Sequence, residues 1–141
     1  ERKKAMAQKI IDAMGGSVKG KTIAVLGLTF KPNTDDMRDA PALDIIPALQ
    51  AAGAHVRAFD PEGMAEARQM LRDVEFAKGP YDCLEGADAM TIITEWDQFR
   101  ALDWARVKAA LKDPVIVDLR NIYNPAEIAA RGFRYVSVGR P

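Results

Sequence analysis

Ile23-Ala24-Val25-Leu26-Gly27-Leu28-Thr29-Phe30-Lys31-Pro32-Asn33-Thr34-Asp35-Asp36-Met37-Arg38-Asp39-Ala40-Pro41 decides how this chain is read. Its opening is wholly apolar and too short for a helix, and it ends at Gly27 in a polar loop with one lysine, one arginine and three aspartates. Such a run predicts a strand buried on both faces of a parallel sheet, delivering a charged loop at its carboxyl end. In open α/β sheets ligands bind in the crevice beyond those ends. Two cations in the loop point to an anionic ligand.

Upstream of this stretch, Met6, Ile10, Ala13 and Met14 recur at helical spacing and stop at Gly15-Gly16, where a helix C-cap wants glycine. Lys21 to Leu28 is the first expected strand and Ala40 to Ala52 the next helix, with Pro41 suited to its first turn and Pro47 expected to kink it. His55 to Phe59 follows as a strand closed by Asp60-Pro61, then a helix over Met64 to Leu71. A short strand at Val74 to Phe76 and a helical turn over Tyr81 to Gly86 come next. Ala89 to Thr94, Val115 to Leu119 and Phe133 to Val138 complete the strands, separated by helices over Trp104 to Lys112 and Pro125 to Arg131. Strand and helix alternate throughout, which predicts an α/β fold with a doubly wound, mostly parallel, Rossmann-like sheet. Gly15 to Gly20 is the only linker-like stretch.

The 141 residues suffice for one domain that buries roughly two thirds of its unfolded surface. Twenty basic residues balance twenty acidic ones. No global field therefore draws the chain to nucleic acid or an anionic membrane, and anion binding must be local. One cysteine, Cys83, and one histidine, His55, exclude an intrachain disulfide and argue against a zinc site or a Ser-His-Asp triad. No apolar run approaches the roughly 20 residues of a membrane helix, so a soluble, cytoplasmic domain is expected. The chain opens without methionine on a charged, helical pattern, which suggests an excised fragment.

A dinucleotide-binding turn needs three glycines so that backbone can approach a pyrophosphate. Here the turn after the first strand has Gly27 alone. A nucleotide would have to be held by side chains of a longer loop, with Lys31 as a point charge and Arg38 as a planar fork for phosphate. The bland alternative is that both cations pair with Asp35, Asp36 and Asp39 on a solvated surface. Val115-Ile116-Val117-Asp118-Leu119-Arg120-Asn121 repeats the arrangement, which puts Arg120 on the same sheet edge as Lys31. Its alternative is an Asp118–Arg120 pair that only closes a strand end. Trp96 and Trp104 read as core, Cys83 as a small buried hydrophobe, and His55 as a structural histidine.

Gly27 to Pro41 closely resembles the signature that opens the C-terminal domain of the nucleotide-sugar dehydrogenases, the UDP-glucose and GDP-mannose 6-dehydrogenase family. The resemblance continues through Ala58-Phe59-Asp60-Pro61, Ile93-Thr94-Glu95-Trp96 and Val117-Asp118-Leu119-Arg120-Asn121, and so covers nearly the whole chain. The Thr-Glu-Trp and Asp-Leu-Arg-Asn-Ile-Tyr wording is most similar to bacterial members that act on UDP-glucose.

The resemblance implies that residues 1–18 are the end of a central connecting helix and its linker, and that residues 19–141 are a C-terminal UDP-sugar-binding domain. It implies that Phe30, Lys31 and Arg120 contact the UDP-sugar and that Arg38 reaches NAD. The NAD would be bound mainly by an N-terminal domain, and the catalytic cysteine would lie in a central one that also forms a homodimer. It also implies two successive oxidations at the sugar's C6 alcohol, through a thiohemiacetal and a thioester on that cysteine, giving UDP-glucuronate. No catalytic residue and no metal ligand is expected within this chain, and the fragment alone is expected to be inactive. Three alternatives stay open beside this reading: a related domain for GDP-mannose or a UDP-N-acetyl sugar, a stand-alone nucleotide-binding regulatory module, and a structural domain serving an oligomer interface.

Overall fold

The computed structural model describes residues 2–137. α1 (Arg2–Ala13) leads into β1 (Thr22–Leu26), α2 (Ala42–Ala51), β2 (His55–Phe59), α3 (Met64–Met70) and β3 (Glu75–Phe76). The second half runs α4 (Pro80–Leu84), β4 (Ala89–Ile92), α5 (Asp97–Arg100), α6 (Trp104–Ala110), β5 (Val115–Asp118), α7 (Pro125–Ala130) and β6 (Arg134–Ser137). The strand order is β3-β2-β1-β4-β5-β6, and every pairing among the described residues is parallel. This is the doubly wound Rossmann order, with the chain reversing direction across the sheet between β1 and β4. Each expected element is present to within about two residues. The single turn of α5 has no counterpart in the hydrophobic pattern. Two expected termini, Glu1 and Val138, lie outside the described residues.

The apolar strands lack polar alternation because both sheet faces are covered. In β1, Ile23 and Val25 belong to one core while Ala24 and Leu26 belong to the other, all of them fully buried. The first core lies under α1 and α2, with Ile45, Ile46 and Leu49 as its largest contributions from α2. The second is packed by Leu84 of α4, Phe99 of α5, Val107 of α6 and Ile128 of α7.

Double winding explains the role of α1. Crossovers in the first half cover one face over β1, β2 and β3, and those in the second half cover the other face, so β4 and β5 need a lid on the first face. α1 supplies it, through Ala7, Ile10 and Ala13 in the same core as Ala89 of β4 and Val117 of β5. The Gly15-to-Gly20 stretch therefore turns the helix back onto the sheet. α2 continues through Pro47, which sits at an exposed position. An exposed site lets water take the carbonyl that the missing proline N–H leaves without a donor.

Candidate functional site

Gly27 closes β1 at the point where the sheet reverses. Its N–H donates to the Phe59 carbonyl at 2.9 Å, and its φ is +97°. A Cβ at this position would stand 2.5 Å from the Thr94 nitrogen, so only glycine lets the loops after β1 and β4 pass so closely. Thr94 completes the junction by donating its Oγ1 hydrogen to the Thr29 carbonyl at 2.7 Å.

Beneath this junction lies Asp60, which is fully buried at the end of β2. Its Oδ2 accepts from the N–H groups of Leu28 (2.7 Å) and Thr29 (3.1 Å), from Thr29 Oγ1 (3.3 Å) and from Trp96 Nε1 (3.2 Å). Its Oδ1 accepts from the N–H groups of Glu62 (2.9 Å) and Gly63 (2.7 Å). A buried carboxylate is tolerated when this many donors surround it. Asp60 thus ties the loops after β1, β2 and β4 into one rigid edge. The residue-level reading of the sequence saw an Asp-Pro break there, because the partners of Oδ2 that make it a tie between loops lie more than thirty residues away in sequence. Trp96 is core, as expected, with this polar tie in addition.

Held at Leu28 and Thr29, the loop returns through the Phe30 N–H to the Asp36 carbonyl (2.9 Å) and is anchored again by buried Met37 and Ala40. Phe30, 48% exposed, and Lys31 are left facing outward. An exposed phenylalanine on a pinned loop is available to a ligand or another domain. Arg38 instead folds its fork over Asp36, with Nε 3.1 Å from Oδ1 and Nη2 3.1 Å from Oδ2. The Arg38 side-chain hydrogen bond holds the Asp36 carboxyl below its ordinary range. For Arg38 the structure therefore has the pairing alternative, at an exposed position where water screens the pair and it contributes little stability. Beside it opens a groove of about 490 Å³, lined in part by Asp35, Arg38, Glu66 and Met70.

The β5 loop does not contain the Asp118–Arg120 side-chain pair that is the alternative reading of this segment. Asp118 is fully buried and turns back on the backbone. Its Oδ1 accepts the Arg120 N–H (3.0 Å), and its Oδ2 accepts from the N–H groups of Ile122 (2.8 Å) and Tyr123 (3.1 Å) and from the Tyr135 hydroxyl (2.7 Å). Freed from Asp118, the Arg120 side chain crosses to Glu95 after β4, with Nε at 3.2 Å and Nη2 at 2.7 Å from Oε2. Burial is the largest influence on the Glu95 carboxyl and pushes it up, but the Arg120 hydrogen bond, a bond to its own backbone N–H and the nearby arginine charges together outweigh it and leave the group below its ordinary range. Lys31 and Arg120 thus lie on one edge, after two strands that flank β4.

Other candidates stand apart. Burial pushes the Cys83 thiol up to about 12, which removes it as a nucleophile. His55 has a partner in Glu75 at 3.0 Å, but the two open β2 and β3 at the opposite, amino edge of the sheet. Trp104 packs edge-on to Tyr123 and Phe133 with ring centroids 4.8 and 5.7 Å away. No group of three or more His, Cys, Asp or Glu able to hold a metal occurs among the described residues, and none of their helices is long and apolar enough to cross a membrane.

A dinucleotide held in the usual Rossmann manner does not fit this edge. The three-glycine turn is replaced by a long pinned loop, and Asp60, which ends the strand whose acid usually meets the ribose, has both oxygens engaged with protein donors. The edge does suit an anion approached by Lys31 and Arg120. Residues 24–125 match the UDP-glucose/GDP-mannose dehydrogenase family, UDP binding domain. This chain belongs to that family. It is 57% identical over 140 residues to the UDP-glucose 6-dehydrogenase of Rhizobium meliloti (strain 1021), a match that covers 99% of this chain and 32% of the relative. The identity to UDP-glucose 6-dehydrogenase TuaD of Bacillus subtilis (strain 168) is 49%, over 96% of this chain and 30% of the relative. Among solved structures, a UDP-glucose dehydrogenase from the archaeon Pyrobaculum islandicum superposes with a TM-score of 0.81 at 30% identity, over 99% of this chain and 30% of that one. The chain thus spans about a third of the length of the curated relatives it matches.

Proposed function

We propose that this chain is the C-terminal, UDP-sugar-binding part of a longer NAD-dependent UDP-glucose 6-dehydrogenase, which converts UDP-glucose to UDP-glucuronate in two successive oxidations. In this reading residues 1–18 end a central connecting helix and residues 19–141 form the domain that closes over the substrate. The observation that carries it is the pairing of high identity to UDP-glucose 6-dehydrogenases along nearly the whole chain with two cations, Lys31 and Arg120, on the edge where the sheet reverses.

Phe30, Lys31 and Arg120 contact the UDP-sugar, with Phe30 covering an apolar part of the ligand and the two cations meeting its phosphates or sugar hydroxyls. Arg38 leaves Asp36 to meet NAD, which is bound mainly by an N-terminal domain and accepts the hydride. The nucleophilic cysteine belongs to the central domain, which also forms a homodimer. This chain's own contribution is to bind the substrate, orient it and exclude water from it.

Kinetics of the full-length protein test the reading. Lys31→Ala and Arg120→Ala should each raise the KM for UDP-glucose roughly 10- to 100-fold, the range expected for losing a hydrogen bond to a charged group. Arg38→Ala should raise the KM for NAD instead. Unchanged constants for Lys31→Ala and Arg120→Ala would contradict the assignment. A preference for GDP-mannose or a UDP-N-acetyl sugar over UDP-glucose would contradict the choice of substrate. The coding sequence upstream of Glu1 should specify a GxGxxG turn and a cysteine-bearing helical domain.

A further inference from the structure

We infer that Glu95 is a positioning residue for the nucleotide-sugar site, holding the Arg120 guanidinium side-on so that its remaining amine faces the ligand. The inference rests on the reading of Arg120 as a substrate contact. β4 and β5 are neighbours in register, Ile92 opposite Asp118, and the ladder continues through the Leu119 N–H to the Ile92 carbonyl at 3.0 Å. Glu95 and Arg120 therefore leave adjacent strands at nearly the same height. One carboxylate oxygen, Oε2, takes both Nε and Nη2, at 3.2 and 2.7 Å. A grip on that edge fixes the guanidinium plane, and among the described residues Nη1 has no partner.

The rest of the Glu95 environment argues against a purely stabilising ion pair. Its side chain is 25% exposed and that of Arg120 39%. The second oxygen, Oε1, is buried with no hydrogen-bond partner. A carboxylate built only for stability would satisfy both oxygens, as Asp60 and Asp118 do on the same edge, because an unsatisfied buried acceptor is destabilising. Glu95 is instead set by the β4 loop with Oε2 turned to both Nε and Nη2 of Arg120. Its neighbours restrict it further: Thr94 is bonded to Thr29, and Trp96 to Asp60. The arginine, a long side chain with many rotamers, is thereby ordered before the ligand arrives, which reduces the entropy lost on binding.

The test is steady-state kinetics of the full-length enzyme with UDP-glucose varied at saturating NAD, for wild type, Glu95→Ala, Glu95→Gln, Arg120→Ala and the Glu95→Ala/Arg120→Ala double variant. Thermal unfolding is followed alongside. Glu95→Ala should raise the KM for UDP-glucose about 3- to 10-fold, as expected for one side chain that must be ordered on binding. It should leave kcat within about twofold, and Glu95→Gln, which keeps an acceptor, should recover most of the loss. In the Arg120→Ala background, Glu95→Ala should add less than about twofold. An unchanged or lowered KM for Glu95→Ala beside an impaired Arg120→Ala would overturn the inference alone, the lowered value showing that Glu95 competes with the ligand. An equal penalty from Glu95→Ala with and without Arg120 would also overturn it. An unimpaired Arg120→Ala would remove the underlying reading as well.

Discussion

At the scale of single residues, Asp60 does more for this edge than any cation. Its carboxylate takes four donors on Oδ2 and two on Oδ1, from the loops after β1, β2 and β4. Removing it strands several buried donors at once, each costing about 1–3 kcal/mol when water cannot reach it. Asp60→Ala should therefore lower the unfolding free energy by at least about 3 kcal/mol in urea titrations, and a loss below about 1 kcal/mol would contradict the hub assignment. Cys83 gives a prediction that depends on pH. Its thiol, near 8.5 in an unfolded chain, is pushed by burial up to about 12 in the fold. The folded chain then keeps a proton that the unfolded chain releases, so this contribution is complete below about pH 8.5 and is lost as the pH rises toward 12. Burial pushes Tyr123 in the same direction. Urea unfolding at about pH 7.5 and pH 10 should show wild type losing more stability across that interval than Cys83→Ala.

At the scale of elements, strands and helices were legible because burial on both faces writes uninterrupted apolar runs such as Ile23-Ala24-Val25-Leu26. The edge was only partly legible. Lys31 and Arg120 could be placed there, since a parallel sheet puts every strand's carboxyl end on one side. Glu95 as the partner of Arg120 could not, because the choice between Asp118 and Glu95 turns on side-chain direction across two strands. Asp118 was drawn away by the backbone N–H groups of the loop that follows it, a local geometry set by Asn121 at φ +58°. Gly27 carries the strongest element-level prediction. Alanine there meets both a left-handed φ and the Thr94 backbone at 2.5 Å. Gly27→Ala should destabilise by roughly 2–4 kcal/mol and, on the proposed reading, raise the KM of the full-length enzyme for UDP-glucose, because separating the loops after β1 and β4 displaces Lys31. A variant with wild-type stability would show that the close approach is not required.

At the scale of the molecule, the fold is a Rossmann sheet without the Rossmann cradle. Its reversal point is closed by Gly27 against Thr94 and sealed from below by Asp60, so the edge offers side chains rather than backbone to a ligand. α1 belongs to this design, because it covers the half of one face that double winding leaves bare. Such an edge can form half of a site and needs an opposing surface to enclose its ligand. The most direct test of that claim is calorimetric titration of UDP-glucose into the full-length protein without NAD, repeated for Lys31→Ala and Arg120→Ala. Binding should weaken at least about tenfold in each variant, the loss of one charged contact of roughly 1.4 kcal/mol or more. Undiminished affinity in both would contradict that claim.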